Sequence, residues 1–230
     1  MFIILLLIGN ISHAQNKVTD LEVYKIVYSS YTEPRAEDGE VKAVSIPKNE
    51  VHKFSLFAHS RYLLVTDRIS KTDSSKWLVQ YNEKKLWELR GSIALPLSYD
   101  DFLTSDVYLE NEERDSLLMD YGILTFTVDT ATIEGYHCKK AIIEITAADK
   151  VSSDPKKLMH IWYCPELPAA YWPTMNHLER IPGALLLTKY DRGYGDVECI
   201  RVKKITKQKK AATFFNIPKN MMILYPPSMN

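Results

Sequence analysis

The chain has 230 residues, of which 46% are hydrophobic and 25% charged, a globular composition that excludes a disordered chain. Its 29 basic residues balance 29 acidic ones, so it lacks the basic excess with which nucleic-acid binders displace phosphate counterions. Only 8 glycines argue against a glycine-rich phosphate cradle, while 14 tyrosines, with valine and isoleucine, favour pleated, half-buried surfaces.

Residues 2–8 are a continuous apolar run, and Ser12-His13-Ala14 follows with the small residues a signal peptidase requires. The run is far short of the roughly twenty residues a membrane-spanning helix needs. No lysine or arginine precedes it. The expected organisation is a signal peptide over 1–14 and one domain over 15–230, which places the protein in the periplasm or outside the cell. No later run is long enough to span a membrane.

Residues 18–31 alternate, with Leu21, Val23 and Val27 on one face and Tyr24, Ile26 and Tyr28 on the other. Apolar groups on both faces mean a strand covered on two sides or lining a cavity. A polar turn follows over 32–39. Strands are expected over 51–57, 61–67, 76–81 and 84–90, and the connections at 73–75 and 82–83 are short enough for hairpins. Such connections make an antiparallel meander. Residues 91–120 break the pattern: Pro96 and the Ser98–Asp101 cluster read as loop, and 110–119 as one short helix. Strands resume over 121–128, 133–145 and 158–163. A turn over 191–196 leads into a strand over 196–206, a basic connection over 207–210, and an apolar strand or loop over 214–225 that closes the domain. No Gly/Ser linker divides the chain.

A hairpin turning near Val151 sets Cys138 opposite Cys164, each thirteen positions from the turn. An oxidising compartment suits a disulfide there. The alternative is that Cys138, Cys164 and Cys199 are all buried as small apolar fillers. His137, Cys138, His160 and Cys164 do not suit a metal: His137 and Cys138 leave opposite faces of a strand, and His160 and Cys164 lie about 13 Å apart along one. Neither metal nor cofactor is assigned. No GxSxG or SxxK pattern exists, the adjacent carboxylates Asp100 and Asp101 suit a solvated loop, and no catalytic residue is assigned. The lysines Lys203, Lys204, Lys207, Lys209 and Lys210 suit either a solvated strand end or contact with anionic envelope components. Trp162, Tyr163, Tyr171 and Trp172 suit core and loop anchors, or the floor of a ligand groove.

Five segments carry a family resemblance: Gly135-Tyr136, Cys138-Lys139-Lys140-Ala141, Trp162-Tyr163, Pro165-Glu166-Leu167-Pro168 and Ile181-Pro182-Gly183-Ala184-Leu185-Leu186. In these the chain resembles the GLPGLI family of exported proteins, mostly from the Bacteroidetes, a family without an agreed molecular function. Arg180 stands where the naming motif has its first glycine and Ala184 where it has a leucine, while Trp172-Pro173 replaces the usual Gly-Pro. The resemblance implies a mainly β fold, a strongly curved antiparallel sheet or half-barrel over a short helical plug, as in the outer-membrane lipoprotein carriers. In that setting Gly135, Trp162, Tyr163, Pro165, Pro168, Pro182 and Gly183 are structural motif residues, with Pro182 and Gly183 forming a turn that aims 184–187 into the sheet.

The leading functional expectation is a non-enzymatic periplasmic protein that binds a hydrophobic ligand, such as an acyl chain, in the concave face. Tyr136, Ile142, Leu158, Trp162 and Trp172 are its candidate groove residues, and a lipid or another envelope component its partner. The alternative is a structural or adaptor protein of the cell envelope with a filled core, and a hydrolase stands third. The helix over 110–119 arbitrates, because Leu117, Leu118 and Met119 could plug the sheet and leave no cavity of about 300 Å³.

Overall fold

Alternating apolar residues and tight turns lay the chain out almost wholly as strands. The computed structural model describes residues 19–34, 52–67, 75–97, 123–145, 157–171, 178, 181–191 and 195–225. They form β1 (Asp20–Glu33), β2 (His52–His59), β3 (Tyr62–Asp67), β4 (Ser75–Gln80), β5 (Lys85–Arg90), β6 (Ile93–Leu97), β7 (Ile123–Ile133), β8 (Tyr136–Ile145), β9 (Lys157–Cys164), β10 (Ala184–Asp191), β11 (Val197–Ala211) and β12 (Met222–Ile223). All twelve belong to one large, curved sheet that does not close, in the order β12-β6-β5-β4-β3-β2-β1-β11-β10-β9-β8-β7. Among the described residues no helix reaches seven residues, and none is long and apolar enough to cross a membrane.

Two antiparallel meanders, β2–β6 and β7–β11, are joined in the middle by β1 and β11. That central ladder runs from Asp20↔Ala211 to Glu33↔Val197. Register shifts interrupt it at Val27/Tyr28, and interrupt β9–β10 at Leu185/Leu187 and β7–β8 between Phe126 and Thr130. Such irregularities bend a strand and increase its twist, which suits a curved sheet.

The double-sided alternation of β1 feeds two cores. Ile26 and Tyr28 join Leu56, Leu63, Val79, Ile161 and Leu187 in the larger one. The Tyr28 ring stacks on Phe54 at 5.1 Å, and its hydroxyl donates to the Leu185 carbonyl at 2.7 Å, where the β10 ladder is irregular. Leu21 and Val23 point the other way, into a second core with Leu64, Leu78, Leu89 and Phe215. After β11 a 3-10 turn, Ala212–Phe215, folds back over this face. Phe214 meets Phe57 at 5.0 Å, Phe215 stacks on Tyr62 at 4.9 Å, and Gln80 Nε2 donates to the Phe215 carbonyl at 3.1 Å. Burying Phe215 completely stabilises the fold by about 1.5–3 kcal/mol.

The structure corrects several expectations. Pro96 lies inside β6 rather than in a loop. Residues 207–210 are not a connection but the continuation of β11, paired with 21–24. β7 extends five residues beyond the expected 128, and β12 pairs with β6 in parallel. The expected helix over 110–119, with Leu117, Leu118 and Met119, lies outside the described residues, as does the segment 1–14.

Candidate functional site

Across β1, β11, β10 and β9 the registers set one row of side chains: Tyr31 opposite Cys199, Cys199 opposite Lys189, and Lys189 opposite His160. The row continues through Ile142 on β8 to Thr125 on β7. Strand alternation puts Ser29 and Glu33 on the same face of β1, Arg201 on β11, Asp191 on β10, and Leu158 and Trp162 on β9. This face is polar yet buried. Lys189 is only 2% exposed and His160 8%, and Ser29, Tyr31, Asp191 and Cys199 are buried with them.

The lysine is compensated by an ion pair, its Nζ donating to the Glu33 carboxylate across β11. Burial first, then Lys140 and Lys189 against the opposing Asp191, bring the His160 pKa down to about 4, so the ring is neutral at pH 7. It stacks on Trp162 at 6.3 Å, and Lys140 Nζ lies 5.4 Å over the same indole. Burial pushes the Tyr31 phenol up to about 12, with Cys199 and Glu33 adding to the rise and Arg201 opposing it. The Cys199 thiol is also pushed up to about 12, by burial first and Glu33 next. A thiol and a phenol held protonated are poor nucleophiles.

On the opposite face of the same four strands lies a partly open cavity of about 250 Å³. Ser30, Ile200 and Thr188 form one cross-strand row of its wall, and Thr32, Glu198, Tyr190 and Met159 the next. Met159 and Ile200 supply apolar surface, the hydroxyl-bearing side chains and the Glu198 carboxylate supply polar groups, and Tyr31 and Cys199 of the neighbouring row also border it.

The expected groove residues do not line this cavity. Tyr136, Ile142, Leu158 and Trp162 share the face of the polar cluster by alternation along β8 and β9, and Trp172 lies outside the described residues. Trp162 is buried under Lys140 and beside His160, while its neighbour Tyr163 faces the other way, 5.9 Å from Phe126. Gly135 (φ +80°) follows Glu134 (φ +50°) in the two-residue turn between β7 and β8, a hairpin type that requires positive φ at both positions. After β9, Pro165 starts a turn closed by Leu167 N–H donating to the Cys164 carbonyl at 3.3 Å, and Pro168 precedes Ala170, whose carbonyl accepts from Leu185 N–H at 3.2 Å. Pro182 is exposed, whereas Gly183 is buried with φ +125°. All three cysteines are buried free thiols.

Lys207 and Lys210 of the lysine cluster lie over the protein's own rings, Lys207 over Tyr24 at 5.8 Å and Lys210 over Phe214 at 5.1 Å. Glu33, Lys189, Asp191 and Tyr31 were not anticipated as a group. The visible signal was a lysine and an aspartate within the otherwise buried run of β10.

No protein-family model and no curated protein matches the chain. Among solved structures, PNGF-II in its C2 crystal form superposes with a TM-score of 0.50 at 12% identity, over 90% of this chain and 31% of that one. Its P21 form gives a TM-score of 0.49 at 13% identity, over 90% and 32%. A domain described as an outer membrane lipoprotein-sorting protein from Vibrio parahaemolyticus aligns over 86% of this chain and 88% of its own, at 10% identity and a TM-score of 0.17. The chain thus spans about a third of the PNGF-II chain it matches, and at this identity the likeness is one of fold alone.

Proposed function

We propose that the protein is a non-enzymatic, exported binder of a small hydrophobic group, of the GLPGLI type, and that the cavity between Met159, Thr188, Tyr190 and Ile200 is where the group sits. The observation that carries this reading is the cavity itself, about 250 Å³ with apolar surface, a few hydroxyls and one carboxylate, that of Glu198. Ligand pockets typically measure about 300–1,000 Å³ and are mostly apolar. The size therefore suits a short apolar group or the end of an acyl chain better than a whole lipid. Each buried CH₂ adds about 0.8 kcal/mol, enough for a few carbons to be retained.

Native mass spectrometry of the purified protein, followed by organic extraction, tests the reading. A bound apolar adduct is expected for the natural chain and is lost in Thr188→Phe, which fills the wall. An adduct-free chain that also fails to bind a fluorescent fatty acid overturns ligand binding and leaves the envelope adaptor. One observation favours that second reading: the β2–β6 half of the sheet is filled on both faces by its own side chains. Export is tested in the same preparation, since secreted material should begin at or near Gln15, and recovery of intact Met1 from the cytoplasm contradicts it.

A further inference from the structure

The β8–β9 ladder runs without a break from Ile145↔Lys157 to Lys139↔Tyr163. One step further, the same register sets Cys138 opposite Cys164. The outer strands agree: Cys138 pairs with Ala131 on β7, and Cys164 with Ala184 on β10. The row therefore reads Ala131, Cys138, Cys164, Ala184, with a small residue outside each sulfur. Both thiols are fully buried. Burial, and then the neighbouring Cys164, push the Cys138 thiol up to about 12, so the two sulfurs lie within electrostatic reach. Facing residues of an antiparallel pair have Cβ atoms about 4.5–5.5 Å apart, and a disulfide spans about 3.5–4.5 Å. A small approach of two strand ends suffices.

We propose that Cys138 and Cys164 are an intrachain disulfide site, closed as the chain folds in the presence of a disulfide oxidant, and that Cys199 remains a thiol. Two S–H bonds break and one S–S bond forms. The two electrons and two protons reduce the oxidant, a small-molecule or protein disulfide, to two thiols. The bond forms during folding because the finished fold buries both groups and keeps them protonated, and only the thiolate exchanges. Cys199 is out of reach. It sits on β11 in the row of His160, four residues and about 13 Å along β9 from Cys164. The proposal does not depend on what the cavity binds.

The test is to unfold the full chain, refold it in mixed reduced and oxidised glutathione, alkylate the monodisperse fraction, and digest it with trypsin under non-reducing conditions. Peptides 115–139 and 158–180 should appear joined, lighter by two hydrogens than their sum, with 193–201 alkylated. The joined pair should persist in Cys199→Ser, and the oxidised protein should melt at a higher temperature than the reduced one. Three alkylated peptides, or any bridge containing 193–201, overturns the proposal.

Discussion

Gly183 meets Cys164 through bare backbone. A Cβ added to Gly183 would lie 2.1 Å from the Cys164 carbonyl oxygen and 2.8 Å from the Pro165 Cα, and its φ of +125° is one that side chains rarely adopt. Both obstacles are main chain, so neither can swing aside as a side-chain tip would. The last residue of β9 and the entry to β10 are held together at this point.

Gly183→Ala should accordingly cost at least about 3 kcal/mol, combining backbone strain with the overlap. Chemical denaturation measures it directly. Pro182→Ala is the control: Pro182 is exposed, so the change should fall within about 0.5 kcal/mol of the natural protein. Equal stability of the Gly183 variant would show that this close approach is not required.

The Lys189–Glu33 pair offers a second measurement. The lysine side chain is 2% exposed and the glutamate 21%, so removing one partner strands a charge away from water. Lys189→Ala should destabilise by about 3–5 kcal/mol. Replacing both partners together, Lys189→Met with Glu33→Leu, should recover most of that loss, because no unpaired charge remains. A double-mutant cycle with no coupling between the two positions would mean that the ion pair contributes nothing to the fold.

His160 sets a pH dependence whose sign follows from its environment. Its folded pKa of about 4 lies below the ordinary 6.5, so the unfolded chain binds the proton more readily. Stability from the neutral ring is complete above about pH 6.5, falls as pH drops toward 4, and levels off below. The loss should be of the order of 3 kcal/mol. Urea midpoints measured between pH 7.5 and 4 should show this fall, and His160→Phe should flatten it. A natural protein whose midpoint does not move over that window would place His160 in contact with water.

The β2–β5 meander was legible in the sequence because its strands alternate and its turns are short, so each strand's partner is its neighbour in the chain. The hairpin register was legible for a similar reason, since a turn near Val151 already pairs 139 with 163. β6 was not, because Pro96 ordinarily ends a strand. Among the described residues β12 pairs only with Ile93 and Ala94, which leaves the outer side of β6 at Pro96 unpaired, where a missing N–H costs little. The lysines over 207–210 read as a solvated connection because charge masks strand periodicity. In the fold β1 supplies their partners, and Tyr24 and Phe214 lie under two of the ammonium groups. The polar cluster was least visible. Lys189 and Glu33 are 156 residues apart, and no local pattern joins a lysine on one strand to a glutamate on another at that distance.

The central ladder also orders events in time. Each meander can form from contacts between neighbours, but β1 must wait for β11, and Asp20 pairs with Ala211 only when nearly the whole chain is available. Bringing such distant segments together is the slow part of folding a β protein. Until then β1 presents one open row of amides and carbonyls, the kind of edge on which other chains stack. The second core is open over the same interval, because Phe215, which covers it, lies beyond β11. A chain halted before residue 197 therefore combines an unpaired strand with an uncovered apolar face, and aggregation is its expected fate.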